Sequence, residues 1–323
     1  MVWRWGHLYC WAQLPAVVLL MASPQNIPTA SIVVVSFNAL TLLERCLASL
    51  VDQAEACGAE IVVVRAGRPD ESPEMLRQRF PRCRWLVARS EETIPRMRSA
   101  GVLACRGRIV ALVEDDCVAD GAWCEALLEA HRGQWAAVGG AVEPGGYARS
   151  IDWAVYFYEY SRFMLPFEAH AATDLPVNNV SYKRDAIAGR VHEDDDGLYD
   201  VFTQEQLRQR GLSTLITPTL VVQNANSWSL SHILLAPYHH GRGFGAKRMG
   251  NRPLWWRVLL AVLAPFLPAL QVYRILQITT GRKRLRGRMI LALPAIVLFG
   301  SSWAFGECLG YLRGPGQSVQ RWR

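Results

Sequence analysis

Hydrophobic and polar positions along the first half of the chain fall into two alternating periods. Short β-branched runs, "SIVVVS" (Ser31–Ser36) and "EIVVV" (Glu60–Val64), are bounded by polar residues. Such runs read as buried strands. Leu40, Leu43, Leu47 and Leu50 then recur at helical spacing, after the candidate cap Asn38. The same alternation predicts a helix over Ser72–Phe80 and a strand at Trp85–Val87. A helix follows with Ile94, Met97, Gly101 and Ala104 on one face, then a strand at Arg108–Val113. A helix over Ala122–Ala130 and a strand over Ala136–Val142 complete the series. Strands and helices in strict alternation predict an α/β fold, a mostly parallel sheet covered on both faces. Ligands of such sheets bind beyond the carboxyl ends of the strands.

After Gly146 the rhythm changes. Ile151–Phe163 is aromatic-rich and reads as a core helix, and Asn178–Tyr182 as a strand. Phe202–Arg210 is a helix ending at Gly211, and Leu215–Val222 is extended around Pro218. Two long apolar runs close the chain. Met289–Gly306 has eighteen residues without a charge, about 27 Å as a helix. That nearly matches a hydrocarbon core of roughly 30 Å, so it reads as a transmembrane helix. Val258–Tyr273, sixteen residues with Pro265 and Pro268 inside, spans, re-enters or lies in the interface.

Charge changes this picture. The 323 residues carry a net +7. From Gly241 onward there are fourteen Lys/Arg against one acid, Glu307, a balance of +13; the first 240 residues are therefore 7 − 13 = −6. A basic tail interleaved with apolar runs points to lipid and away from nucleic acid. The loop "GRKRLRGR" (Gly281–Arg288) between the two runs prefers the cytoplasmic side. Two full spans would carry it to the far side from the body, which favours an interfacial or re-entrant first run. Trp255, Trp256, Trp303 and Tyr311 suit headgroup depth. Residues 1–22, with Arg4 and then "LPAVVLLMA", read as a weak signal-like segment or an interfacial anchor. The eight cysteines are scattered, without C-x-x-C or zinc spacing, and read as reduced thiols in a cytoplasm-facing body.

Three acids, Glu114, Asp115 and Asp116, end the fourth strand. Like charges this close oppose one another's ionisation, so a bound cation is the first expectation; a solvated loop or helix cap is the alternative.

Four stretches, taken in order, carry a resemblance. They are "SIVVVSFNALTLLERCLASLVDQ" (Ser31–Gln53), "IPRMRSAGVLACRGRIVALVEDDC" (Ile94–Cys117), "VNNVSYKRDAI" (Val177–Ile187) and "YDVFTQEQLRQRG" (Tyr199–Gly211). Over roughly residues 30–225 the chain resembles family 2 glycosyltransferases. The resemblance implies a GT-A fold and sugar transfer from a nucleotide-diphosphate donor, with magnesium or manganese stabilising the leaving diphosphate. Glu114-Asp115-Asp116 maps onto the family's Asp-x-Asp motif. Asp116 is then the metal ligand, Glu114 a longer arm towards the metal, and Asp115 a contact to donor ribose or sugar. Ser36, Phe37 and Asn38 would hold base and ribose. Arg98, with Arg96 as its substitute, would sit near the diphosphate. Asn178 and Asn179 would bond sugar or acceptor hydroxyls. The family's base maps onto Asp200, with Glu205 and the run His192–Asp196 as alternatives. "HHGRGFGAKR" (His239–Arg248) would cover the diphosphate, touch lipid phosphate, or form a plain membrane-surface patch.

Three positions depart from the family pattern. Arg65 stands where an Asp usually ends the second strand, and Tyr199 replaces the Glu before the base. Gln223 or Asn224 lies near the place of a metal-binding His. The expected protein is a membrane-attached, inverting, metal-dependent transferase with a lipid-linked or polysaccharide acceptor. Its catalytic domain would face the cytoplasm at the inner membrane. An inactive binding subunit is one alternative. A nucleotidyltransferase is another, though "SFNALTLLE" lacks the glycines of a phosphate loop. The implied organisation is an apolar segment (1–28), a GT-A domain (29–235), a basic linker (236–257), membrane-associated helices (258–312) and a basic tail (313–323).

Overall fold

The computed structural model describes residues 27–66, 72–189, 197–250 and 252–321. The apolar segment at 1–22 and the acidic run His192–Asp196 lie outside the described residues. The β-branched run becomes strand β1 (Ala30–Ser36), buried at every position. Helix α1 (Leu40–Ala56) then turns Leu43, Cys46, Leu47 and Leu50 onto the sheet. Each such leucine contributes about 1.5–3 kcal/mol through apolar burial. Strand β2 (Glu60–Ala66), helix α2 (Glu74–Arg79), strand β3 (Arg84–Ala88), helix α3 (Ile94–Ala104) and strand β4 (Ile109–Glu114) continue the alternation. Gly101 lets α3 lie close on the sheet, since a Cβ there would come within 2.3 Å of Val33.

Strand β5 (Cys117–Ala119) is too short to show a period in the sequence. Helix α4 (Trp123–Ala130), strand β6 (Ala137–Pro144) and helix α5 (Ser150–Tyr160) follow, the last running into a 3₁₀ turn at Ser161–Phe163. Next come β7 (His170–Ala171), β8 (Asn179–Lys183), α6 (Arg184–Ile187), α7 (Asp200–Gln209) and β9 (Thr214–Asn224). Helix α7 stops at Gly211, whose φ of +72° suits the residue after a helix end.

The strands form one sheet in the order β3-β2-β1-β4-β8-β6-β9-β5, with β7 also on β9. The expected parallel arrangement holds for β3, β2, β1 and β4. Beyond β4 the sheet is mixed, because β8 runs antiparallel to both β4 and β6. Pro218 is tolerated where the β6–β9 register shifts, between the pairs Gly139–Ile216 and Ala141–Val221.

The stretch expected as a basic linker is helical: α8 (Leu230–Met249) covers most of it. Helix α9 (Leu254–Leu263) passes through a 3₁₀ turn at Ala264–Phe266, holding Pro265, into α10 (Leu267–Gly281). Helix α11 (Arg286–Arg313) returns alongside. By length and composition, Leu254–Gly281 and Arg286–Arg313 are each apolar enough to cross a membrane.

Candidate active site

Parallel pairing brings the ends of β1, β2 and β4 together: Ser36 lies beside Arg65, and Val35 beside Glu114. The turn after β1 is held by one carboxylate. Asp115 Oδ2 accepts from Ser36 Oγ (2.8 Å) and from the backbone N–H groups of Phe37 and Asn38 (3.0 Å each). Its Oδ1 accepts from Asn38 Nδ2 at 2.7 Å. Asn38 was the expected cap of α1; its side chain turns inward to Asp115, and Ala39 takes the cap position of α1 without a side-chain hydrogen bond. Arg65 completes the clamp. Its Nη1 donates to Ser36 Oγ at 2.7 Å and lies 3.7 Å from Asp115 Oδ2. Asp115 is fully buried. From below, its carboxylate shapes the Ser36–Asn38 turn, and Phe37 and Asn38 stay half-buried at the rim.

Asp116 points the other way. Its Oδ2 accepts from Asn226 Nδ2 at 3.1 Å, and Asn226 also lies 3.5 Å from Asn38 Oδ1. The Asp116 carbonyl accepts from Ala225 N at 2.8 Å, which fixes the end of β9 against the acids. Burial first, then the Glu114 and Asp115 charges, push the Asp116 carboxyl up to about 8. Burial likewise raises Asp115, against the hydrogen bonds from Ser36 and Asn38.

Glu114 and Asp200 share a cation. Arg98, buried on α3, places Nη2 on Glu114 Oε1 at 2.5 Å and Nη1 on Asp200 Oδ2 at 2.7 Å. Tyr182 Oη donates to Asp200 Oδ1 at 2.8 Å. Burial raises the Asp200 pKa despite the opposing Arg98 charge and the Tyr182 hydrogen bond. Arg98 is thus engaged by two carboxylates at once. Arg96 is exposed and pairs with Glu92 at 3.6 Å. Glu205 faces solvent with Arg208 and Gln209, away from the buried cluster.

The two asparagines divide. Asn179 is saturated by protein: Nδ2 donates to the carbonyls of Ala141 (2.9 Å) and Leu220 (3.0 Å), and Oδ1 accepts from Trp123 Nε1 (2.9 Å). These bonds tie β8 to β6, β9 and Trp123. Asn178 is also fully buried, with Nδ2 3.4 Å from Cys117 Sγ, but its Oδ1 has no partner among the described residues.

Among the described residues no cluster of three His, Cys, Asp or Glu side chains surrounds a metal position. A cation shared with a diphosphate needs fewer protein ligands, because phosphate and water oxygens complete its shell. The residues fit that case: Asp116 offers a buried hard oxygen with the Asn226 amide beside it. Glu114 is the poorer ligand, since Arg98 already neutralises it.

Residues 31–188 match the family model described as "Glycosyl transferase family 2". Those residues belong to glycosyl transferase family 2, and the chain is a glycosyltransferase. The mannosyltransferase PcManGT from Pyrobaculum calidifontis, solved in complex with GDP-Man and Mn2+, is similar in fold. The likeness covers 85% of this chain and 87% of that one at 16% identity, with a TM-score of 0.52. The fold is the GT-A type, a mixed sheet flanked by helices. No curated protein matches the chain.

The family match stops at residue 188, before Asp200 and Asn226. Sequence reasoning missed Asn226, Tyr182 and Glu159 of this glycosyltransferase. Asn226 lies just past β9, two residues beyond Asn224, whose side chain also lies beside Asp116. Tyr182 looked like one more strand aromatic. Glu159, half-buried on the aromatic helix α5, is pushed up to about 7 by burial and then by the Glu114 charge.

Proposed function

We propose that this glycosyltransferase is membrane-attached, inverting and dependent on magnesium or manganese. It transfers a sugar from a nucleotide diphosphate to a lipid-linked or polysaccharide acceptor, with its catalytic domain at the cytoplasmic face of the inner membrane. One observation carries the reading. A buried carboxylate, Asp116, and a clamped backbone turn, Ser36–Asn38, meet at the carboxyl ends of β1 and β4.

In this reading the Ser36–Asn38 turn receives base and ribose, largely through backbone. Asp116, with Asn226 beside it and Glu114 behind, holds the divalent ion. When bound, that ion neutralises charge developing on the leaving diphosphate. Asn178, whose buried Oδ1 lacks a protein partner, bonds a donor hydroxyl. Asp200 is the base that takes the acceptor proton, and its raised pKa suits that task. Because Arg98 covers Asp200 and Glu114 together, arrival of the diphosphate would draw the guanidinium towards the phosphates and uncover the base. The two apolar C-terminal helices and the +13 balance beyond residue 240 support attachment to a membrane.

The test is nucleotide release by purified protein with manganese or magnesium, across a panel of nucleotide sugars, with and without a polyprenyl phosphate. Metal-dependent release with one sugar supports the reading. No release with any donor in either metal removes it.

A further inference from the structure

Helix α11, 28 residues and about 42 Å long, packs first on α5 of the catalytic domain and then on α8. At its start Arg288 lies 5.6 Å over the Trp153 ring. In its middle Phe299 packs on Tyr158, ring centroids 4.6 Å apart. Towards its end it interlocks with α8. A Cβ on Gly241 or Gly245 would strike the Trp303 or Glu307 carbonyl at 2.2 or 2.6 Å. One on Gly306 or Gly310 would strike the Tyr238 or Arg242 carbonyl at 2.1 or 2.3 Å. Reciprocal Gly-x-x-x-Gly pairs let two backbones approach this closely. Glu307, the one acid of the tail, is buried there against Arg248, Trp303 and Tyr311. Helix α8 in turn never leaves the body. The Trp228 N–H donates to Asp152 at 2.8 Å, and Lys247 Nζ lies 3.7 Å over the Tyr199 ring, next to Asp200.

The turn and the tail return to the same body. Arg282 donates to the carbonyls of Ser161 (3.1 Å), Arg162 (2.9 Å) and Met164. Arg284 donates to Leu165 O and Glu143 Oε2, both at 2.8 Å. Beyond α11, Arg242 Nε donates to Gly314 O at 3.0 Å, and His239 Nδ1 lies 3.1 Å from Ser318 Oγ. A spanning hairpin would carry its turn or its tail across roughly 30 Å of hydrocarbon and break these contacts.

Most of what remains uncovered is apolar, with Arg274 and Gln277 exposed within α10, and both ends carry positive charge. Leu291, Leu298, Phe305 and Leu312 repeat every seven residues along the open side of α11. On the other arm Trp255 and Phe266 are 65% and 68% exposed. Lys283, Arg286 and Arg288 are exposed at the turn end, and Arg252 and Arg313 at the other. A flat apolar face with a basic rim is complementary to an anionic lipid surface.

We infer that the α9–α11 hairpin lies in the plane of an anionic bilayer and does not cross it, so that its turn, the tail and the catalytic domain share one side. The inference rests on the membrane attachment proposed above. It settles the charge conflict of the sequence, since "GRKRLRGR" stays on the domain's own side.

The full chain is expressed with a single added thiol at Lys283→Cys (turn), Gln317→Cys (tail) or Arg89→Cys (domain reference). Membrane vesicles are then treated with a membrane-impermeant maleimide, with and without detergent, and the parental chain's labelling is subtracted. Expected is the same detergent dependence at all three positions. Labelling of Lys283→Cys or Gln317→Cys on the opposite side from Arg89→Cys overturns the in-plane arrangement while leaving attachment intact. In parallel, purified protein is floated with phosphatidylcholine vesicles, with or without phosphatidylglycerol. Flotation that needs phosphatidylglycerol and weakens as salt is raised is expected. Equal flotation on neutral vesicles overturns the anionic preference. A chain absent from the membrane fraction and from every floated layer overturns the attachment itself, and the inference with it.

Discussion

Arg98 joins Glu114 to Asp200, two carboxylates 86 residues apart in sequence, through the two ends of one buried guanidinium. The acids proposed to hold a metal and the proposed base are therefore one electrostatic unit. Removing the cation leaves two buried carboxylates facing each other, which typically costs about 3–5 kcal/mol. Arg98→Met should lower unfolding stability by that amount, read as a shift in denaturant midpoint at unchanged slope. A change under about 0.5 kcal/mol, the size of an ordinary surface substitution, would mean the pair is not formed in solution.

Asp200→Asn keeps shape and the Tyr182 contact while removing the proton acceptor. Transfer should fall by about 10²–10⁴, with donor affinity, measured by calorimetry, within a few-fold of the parent. Glu159→Gln is the control, because Glu159 lies in the field of the same cluster. Loss of transfer in the Glu159 variant, with Asp200→Asn active, would move the base to α5.

Most strands and helices of residues 30–144 were readable, because each is either a continuous buried run or a helix with one buried face; the three-residue β5 was not. The acids after β4 stood out for the same reason, as charges where the period ends. Direction was not readable: β8 pairs antiparallel with β4, and nothing in "VSYK" says so. Roles that depend on long-range partners were hidden too. Asn38 looks like a cap until Asp115, 77 residues later, takes its amide. Asn179 bonds Trp123, Ala141 and Leu220, partners that "VNNV" does not reveal. Arg65 reads as a loss of the base-reading Asp, yet it is the buried counter-charge under the turn.

That clamp yields a second-site prediction. Asp115→Ala deletes four hydrogen bonds to Ser36–Asn38 and leaves Arg65 buried without this partner. Nucleotide binding should be lost and stability should fall by about 3–5 kcal/mol. The contrast is Asp116→Ala, which should abolish metal-dependent transfer with far less effect on folding. Equal stability losses in the two variants would erase the distinction between a positioning Asp115 and a metal-binding Asp116.

Chelation offers an independent check on the cation. Treatment with a chelator should stop nucleotide release, and added manganese or magnesium should restore it without refolding. Unchanged turnover in excess chelator would leave the acids without the partner assigned to them.

His131 sets an acid limit on the fold. It is buried, its Nε2 lies 2.8 Å from Ser181 Oγ, and its Nδ1 has no partner among the described residues. Burial, then the Lys183 charge, hold its pKa down at about 4, against about 6.5 in an unfolded chain. Above pH 6.5 both states carry a neutral ring and stability is full. Between pH 6.5 and 4 the unfolded chain binds a proton that the native one refuses, so stability falls as pH falls. The whole interval is worth about 3 kcal/mol. His131→Leu removes the titration, and Ser181 Oγ keeps its bond to Val138 O at 3.1 Å. Denaturant melts at pH 7 and pH 4.5 should therefore differ less for the variant than for the parent. Equal losses of stability in both proteins would show that other groups set the acid limit.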